Sequence, residues 1–330
     1  MTDPVIFSVG AKRAACLGLV QGTLLPQTLY DLDASIGLTL LHGDLEMLAL
    51  IGTQINSGII STNNGAALLS QTGGYAPMTT TAMPHRLSRK RVNLRVAPNL
   101  TVHLARSGVN DNGRQTLVVA DDTGAIYHRI EVAETYDRAA IAALDAAARD
   151  SVPPQAISPT MPHDNIVSLS AVRCAQATWD SCDTGQHLND ILADDGKTRS
   201  KTLPYIGKNK AWPVLVKALK HFITHLHASS ISYAQNVSGK GLIQSIIAKG
   251  GTPRLLDKIL IIQNEHHSFA LDLVQVDSVW VTTIGPFYQL EIYAADGRAI
   301  AVLGADPKGG VRQWNALLCS LPLAARAFNG

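Results

Sequence analysis

The sequence predicts an α+β protein in which one unit, an antiparallel β-sheet with helices, occurs twice in tandem. A repeated hairpin pattern is the first observation, because residues 116–132 and 289–305 both read as strand, turn and strand. A proline-rich segment near the middle of the chain is the second observation. The third is composition: 46% of the 330 residues are apolar, enough for a sizeable core in each half.

The repeat rests on matching residues in the two hairpins and in the helices that follow them. Three residues of the first half recur 173 positions later: Leu117, Gly124 and Leu144 correspond to Leu290, Gly297 and Leu317. The two glycines lie in turns, where glycine takes positive φ without strain. Closing helices are predicted at 136–147 and 311–318. The common spacing indicates a duplication.

Upstream patterns predict further strands and a boundary between the halves. Residues 92–105 and 269–283 alternate with period two, and we expect a further strand pair in each half. Residues 150–164 contain four prolines, which cannot continue a helix or an inner strand. We therefore divide the chain into an N-terminal α+β repeat at 1–149, a linker at 150–165 and a C-terminal α+β repeat at 166–330.

Charge and cysteine content exclude several classes of function. The 28 Lys and Arg residues against 26 Asp and Glu leave a net charge of +2, too small for nucleic-acid binding through overall charge. The four cysteines form no C-x-x-C pair, so neither a disulfide framework nor a zinc site is expected. Lys12 and Arg13 follow the first apolar stretch, unlike a secretory signal, and no run approaches the roughly 18 apolar residues of a membrane span. We expect a cytoplasmic protein without stable membrane association.

Two local clusters are weaker candidates for binding. His221 and His225 lie four residues apart on a predicted helix that begins at Pro213, and His227 is near. Because no carboxylate ligand accompanies them, a solvated helix face is favoured over a metal site. The basic run at 85–95 has no interleaved aromatic residues, which favours a solvated strand edge over a nucleic-acid contact. No G-x-S-x-G motif indicates a hydrolase.

The order of several segments resembles one known family. The matches are LHGD at 41–44, VNLRV at 92–96, the stretch 198–207, NEHHSFALDLVQVDSVWVT at 264–282, LEIYAADGRAIAVL at 290–303 and Trp314. In this order they resemble the bacterial cytosolic haem-uptake and hemin-degrading proteins of the HemS/ChuS type, over residues 12–320. The resemblance implies two HemS/ChuS/ChuX-like halves, each a curved antiparallel sheet with helices, and one haem in a cleft that involves both halves.

The resemblance also implies particular site residues. Arg95 falls at the family's distal arginine, and Arg199 falls at a basic position that contacts haem. The family's axial histidine falls on Gln186 when the residues are counted without a gap, and a shift by one residue brings His187 to that place. A haem site needs an apolar slot, a donor for the iron and cations for the two carboxylates, which agrees with these residue types.

The sequence departs from the family at three other contacts. The family's tyrosine corresponds to Gly304, its nearby arginine to Pro307, and its lysine falls in the shortened segment 284–286. Lys308 and Arg312 lie close enough in sequence to take over the propionate contacts. These departures concern the haem contacts and not the segments that predict the fold.

Two functions follow from the resemblance and its departures. In the first, the chain is a haem-binding protein of haem uptake and iron acquisition, in which His187 holds the iron and Arg95 orients a distal ligand. Arg199 then pairs with a propionate or supports the pocket. Such a protein receives haem from a transporter and passes it to an oxygenase, or itself supports oxidative opening of the ring. In the alternative, a non-enzymatic relative has lost haem and binds another apolar anionic ligand or a protein partner.

Overall fold

A computed structural model describes residues 19–20, 23–24, 34, 36–41, 45–77, 87–88, 90–97, 102–149, 169–181 and 184–324. The predicted linker at 150–165 lies outside the described residues. The division of the chain into repeats at 1–149 and 166–330 therefore stays a prediction.

The chain forms the helices and strands of an α+β protein, as predicted. The first half contributes β1 (Leu19–Val20) and β2 (Thr23–Leu24), which pair as a short ribbon, then β3 (Leu38–Leu41), α1 (Leu45–Gly52), β4 (Gly58–Asn63), β5 (Ala67–Gly73), β6 (Asn93–Val96), β7 (His103–Ser107), β8 (Gln115–Ala120), β9 (Ile126–Val132) and α2 (Thr135–Arg149). The second half contributes α3 (Leu169–Trp179), α4 (Thr184–Asp194), α5 (Lys197–Ile206), β10 (Ala211–Val214), α6 (Val216–Ala228), β11 (Tyr233–Gly239), β12 (Leu242–Ala248), β13 (Thr252–Leu256), β14 (Ile259–Gln263), β15 (His267–Asp272), β16 (Ser278–Ile284), β17 (Phe287–Tyr293), β18 (Ala299–Ala305) and α7 (Val311–Cys319).

Two large antiparallel sheets repeat one strand order. The seven-stranded sheet runs β10-β16-β17-β18-β11-β12-β6, and the nine-stranded sheet, read from its other end, runs β3-β7-β8-β9-β4-β5-β15-β14-β13. The first six strands of each sheet come from one half of the chain, and they follow the same order in both sheets. The seventh strand of each sheet, β6 or β15, comes from the other half. The predicted duplication is confirmed, and the two halves exchange strands.

The hairpins of the two repeats match in detail. Gly124 and Gly297 have φ of 80° and 81°, as the turns require. Both ladders shift register at the same place, between Val119 and Ala120 in β8 and, 173 residues later, between Ile292 and Tyr293 in β17. The closing helices α2 and α7 lie where they were predicted, within two residues at each end.

The predicted pairing of the upstream strands was wrong. Residues 92–105 form β6 and β7, which lie in different sheets, and residues 269–283 form β15 and β16, which also lie in different sheets. Alternation predicts that a segment is a strand with two unlike faces, but it does not identify the neighbouring strand. Between the two strands of each segment, the chain crosses from one sheet to the other.

The predicted helix start at Pro213 was also wrong. Pro213 lies in β10, at the edge of the seven-stranded sheet, and α6 begins at Val216. An edge strand tolerates proline because the missing N–H faces away from the ladder. The apolar side of α6 packs inward, with Leu219, Phe222, Ile223 and Leu226 buried.

The seven-stranded sheet lies between two cores. Its inner face packs with the nine-stranded sheet and with α6 and α7, in a core that includes Leu69, Val237, Ile246, Phe269 and Trp314. Its outer face is covered by α3, α4 and α5, in a second core that includes Trp179, Leu203, Ile243, Trp280 and Val302. This outer helical layer positions the candidate site.

Candidate functional site

Helix α4 has one buried and one accessible side. The buried residues are His187, Leu188, Ile191 and Leu192, and the partly buried or exposed residues are Gln186, Asn189, Asp190 and Ala193. This is the 3.6-residue periodicity of an amphipathic helix that lies on a sheet. His187 lies in the first turn of α4, on the side that faces the core.

Arg95 lies beside the accessible side of α4. In the β6–β12 ladder it pairs with Ile243, so both side chains project from the outer face of the sheet. The Arg95 Nη1 donates a hydrogen bond to Asn189 Oδ1 at 2.7 Å. Gln186 lies one turn before Asn189 and donates from Nε2 to Asp190 Oδ1 at 3.2 Å. A first-half strand therefore meets a second-half helix through Arg95.

His187 is enclosed by the helical layer. The residue is 1% exposed, and its imidazole meets the Trp179 indole edge to face, with ring centroids 4.5 Å apart. Neither ring nitrogen has a hydrogen-bond partner in the described part of the chain. Burial, and secondarily the positive charge of Arg199, lowers the pKa of His187 to about 3. The imidazole is therefore neutral at pH 7.

Arg199 forms a buried ion pair with Glu291. Its Nε and Nη2 donate to the two carboxylate oxygens at 2.8 and 2.6 Å, and its guanidinium carbon lies 4.7 Å from the centroid of the Trp179 ring. Thr282 Oγ1 and Tyr293 Oη also donate to Glu291, at 2.6 and 2.5 Å. Burial raises the pKa of this carboxyl, but the Arg199 charge and the hydrogen bonds outweigh it and lower the pKa to about 2.

Through this ion pair, Arg199 has a structural role in the helical layer. It attaches α5 to β17, and it holds the indole of Trp179, whose Nε1 donates to the Thr283 carbonyl oxygen at 2.9 Å. A guanidinium already bound in a bidentate pair and 5% exposed is poorly placed to receive a second carboxylate.

Lys308 and Arg312 do not lie on the helical layer that contains His187 and Arg199. Both are exposed, Lys308 in the turn after β18 and Arg312 in the first turn of α7. Helix α7 packs through Trp314 and Leu318 into the inner core, on the face of the sheet opposite to α3, α4 and α5. Their part in a site with Arg95 stays a prediction.

The described residues fit a haem group only in part. Arg95 suits the anionic edge of the ring or a distal ligand. His187 does not face Arg95, because it follows Gln186 by one residue and is therefore rotated about 100° around the helix axis from the side of α4 that lies beside Arg95. Turning α4 by this angle would bring Ile191 to the accessible side and would move the carboxamides of Gln186 and Asn189 toward the core. The lost burial of Ile191 alone is worth about 1.5–3 kcal/mol. In this arrangement α4 does not present an imidazole to the Arg95 side.

The sequence analysis did not identify three residues that are important to the candidate site. Trp179 and Asn189 gave no signal of their own, since an isolated tryptophan or asparagine on a helix has many roles. Glu291 gave a weak signal, because it is a charged residue inside an otherwise apolar alternation in β17. Its partner Arg199 lies 92 residues away in sequence, and only the fold brings the two together.

The histidines of α6 do not form a joint metal site. His221 and His225 are exposed, whereas His227 is buried and bonds through Nδ1 to the Gly250 carbonyl at 2.5 Å and through Nε2 to Tyr233 Oη at 2.8 Å. The described residues contain no group of three or more His, Cys, Asp or Glu side chains arranged to hold a metal ion. Among the helices that the structure describes, none has the length and apolar character to cross a bilayer.

Solved structures resemble the chain over most of its length. No protein-family model and no curated protein sequence matches it. Holo-PhuS, a heme-binding protein from Pseudomonas aeruginosa, matches with a TM-score of 0.71 at 18% identity, over 94% of this chain and 93% of that chain. The heme degrading enzyme ChuS of Escherichia coli O157:H7 matches with a TM-score of 0.69 at 18% identity, over 88% of each chain. The predicted resemblance is confirmed at the level of the fold: this chain has the architecture of PhuS and ChuS.

Proposed function

We propose that the chain is a cytoplasmic haem-binding protein of haem uptake and iron acquisition, which takes haem between β6 and α4. The hydrogen bond from Arg95 to Asn189 carries this proposal, because it puts a cation of the first half beside a helix of the second half. Support comes from PhuS, a heme-binding protein, and ChuS, a heme degrading enzyme, whose fold the chain shares.

The residues take different roles in this proposal. Arg95 donates to a propionate or to a distal ligand, as a guanidinium at a strand edge can. Arg199 supports the pocket through Glu291 and Trp179 and does not bind a propionate. Lys308 and Arg312 are candidates for the propionates only if the ring extends past the end of β18. His187 is the histidine of α4 to be tested as an iron ligand.

A titration with hemin tests the proposal. We expect saturable binding at one haem per chain, observed as a shift of the Soret band. Arg95→Ala should weaken binding by about tenfold, which corresponds to one lost charged hydrogen bond of about 1.4 kcal/mol. Arg254→Ala is the matched control, since Arg254 is exposed on β13, at the edge of the other sheet. Binding that does not saturate, or equal losses in both variants, would contradict the proposal.

The same complex distinguishes carriage from degradation. After addition of a reductant in air, degradation appears as loss of the Soret band with release of iron, whereas a carrier keeps the band. Carriage further implies a haem-delivering transporter and a haem-accepting oxygenase. Transfer to such an acceptor would be measured by following the Soret band from one protein to the other.

Loss of haem binding is the second candidate function. The specific observation that favours it is the burial of His187 together with the pairing of Arg199 to Glu291. In that case the space beside Arg95 accepts another apolar anion. Native mass spectrometry of the purified protein would detect a copurified molecule of that kind.

A further inference from the structure

We propose that Gln186 occupies the place on α4 that faces the ligand and that His187 belongs to the core, so that the site recognises the tetrapyrrole ring without an imidazole from α4 on its metal. This inference rests on the proposed function. It concerns which chemical feature of the ligand is bound, namely the flat anionic macrocycle and not its iron.

The first step is the rotational position of α4. Gln186, Asn189, Asp190 and Ala193 share one side of the helix, and His187, Leu188, Ile191 and Leu192 share the other. The bond from Arg95 to Asn189 shows which side lies beside β6. Gln186 is on that side, one turn before Asn189.

The second step is the packing that fixes this rotation. The indole of Trp179 covers the His187 ring and is itself held by its hydrogen bond to Thr283 and by the guanidinium of Arg199. Arg199 is in turn fixed by Glu291. An imidazole enclosed by a buried tryptophan, on a helix with three more buried side chains, cannot turn to the other side without unpacking the layer.

The third step is the chemistry that remains on the accessible side. Gln186 and Asn189 present carboxamides, and Arg95 presents a guanidinium. These groups hydrogen-bond to carboxylates and to water, but a carboxamide is a much weaker ligand for haem iron than an imidazole. Affinity should therefore depend little on the metal at the centre of the ring.

The binding test compares hemin with metal-free protoporphyrin IX. For the wild-type chain we expect dissociation constants within about threefold of each other. His187→Leu should change either constant by less than about threefold, with unchanged near-ultraviolet circular dichroism as the check on folding. Gln186→His should tighten hemin binding by at least about tenfold and leave protoporphyrin binding unchanged. The inference is overturned if His187→Leu weakens hemin binding selectively, or if Gln186→His has no effect on hemin.

A second measurement needs no ligand. In the native protein, carbethoxylation of histidines followed by peptide mass spectrometry should modify the exposed His221 and His225 and leave His187 unmodified, like the buried His128. Modification of His187 at the rate of His221 would overturn its assignment to the core. If neither hemin nor protoporphyrin binds the wild-type chain, the proposed function fails, and the orientation of α4 is decided by this measurement alone.

Discussion

The two sheets have the same strand order, but their outer faces carry different chemistry. Position 290 and its counterpart 117, on the inner face, are both leucines and both buried. The next position is Glu291 in the seven-stranded sheet and Val118 in the nine-stranded sheet, and both are buried on the outer face. Their ladder partners also lie at matching positions of the repeat, since Glu291 pairs with Val302 and Val118 pairs with Arg129. The repeat preserves the inner core, whereas the outer faces differ in their buried carboxylates. Glu291 pairs with Arg199 of the covering helix α5, and Glu131 on the other outer face pairs with Arg129 of its own strand and with Arg114.

This difference separates what maintains the fold from what makes the site. Inner-face positions face the other sheet in both repeats, so an apolar side chain is required twice. Outer-face positions have different surroundings in the two sheets, and in the seven-stranded sheet those surroundings are the helices α3, α4 and α5. The Glu291–Arg199 pair therefore marks the sheet whose helical layer includes Trp179 and His187.

Removal of the buried carboxylate Glu291 should have the largest effect on stability among the changes that distinguish the two outer faces. Glu291→Val places in the second repeat the residue that the first repeat has at the matching position, and it leaves Arg199 buried without its main partner. We expect the free energy of unfolding to fall by about 3–5 kcal/mol, measured by urea denaturation.

The double variant Glu291→Val/Arg199→Leu is the control for that experiment. Because it removes both charges, it should recover most of the loss. Thr282→Val removes one of the hydrogen bonds to the carboxylate and should cost about 1 kcal/mol. A loss of less than about 1 kcal/mol in Glu291→Val would contradict a supporting role for the pair.

Matching substitutions on the two inner faces should lower the free energy of unfolding by similar amounts. Leu117→Ala and Leu290→Ala each remove a fully buried side chain at matching positions, so each should cost about 2–5 kcal/mol, with a difference of less than about 1 kcal/mol between them. Because each sheet contains strands of both halves, both variants should lower a single cooperative transition. Two separate transitions, only one of which shifts in each variant, would show that the halves unfold independently.

Acid should destabilise the protein through a buried histidine of the first repeat. His128 bonds through Nδ1 to Thr62 Oγ1 at 2.8 Å and through Nε2 to the hydroxyl of Tyr75, and burial lowers its pKa to about 3. The folded state therefore binds fewer protons than the unfolded state between about pH 6.5 and pH 3, so stability falls as the pH falls through this window.

The slope of unfolding free energy against pH tests whether His128 is responsible for this loss of stability. Between pH 6 and pH 4.5, His128→Gln should remove up to about 1.4 kcal/mol per pH unit from the dependence of unfolding free energy on pH. His221→Gln, on the exposed side of α6, is the control and should leave the slope unchanged. The contribution of Glu291 lies in a lower window, because its pKa is lowered from 4.5 to about 2, and it is lost only as the pH falls through that range. An unchanged slope in His128→Gln would contradict the assignment.

The sequence was sufficient for features that depend on neighbouring residues. Alternation predicted the hairpins, the glycine turns followed from φ preferences, and the closing helices followed from periodicity. Sheet partners depended on distant segments, so the exchange of β6 and β15 was missed. Orientation within α4 depended on packing: the sequence placed Gln186 and His187 side by side, and only the burial of Leu188 and Ile191 decides which of them faces Arg95.

The turn glycines should show the smallest effect on stability among the matched substitutions in the two repeats. Gly124→Ala and Gly297→Ala each place a Cβ at a φ of about 80°, which should cost roughly 1 kcal/mol in unfolding free energy. At Gly297 the new Cβ would also lie 2.7 Å from Ser200 Oγ of α5, so a neighbouring side chain must move. We therefore expect Gly297→Ala to be the more destabilising of the two, and Gly297→Ala/Ser200→Ala to equal Gly124→Ala. Equal losses in the two single variants would indicate that α5 yields freely at this contact, in conflict with a helical layer held firmly on the outer face of the seven-stranded sheet.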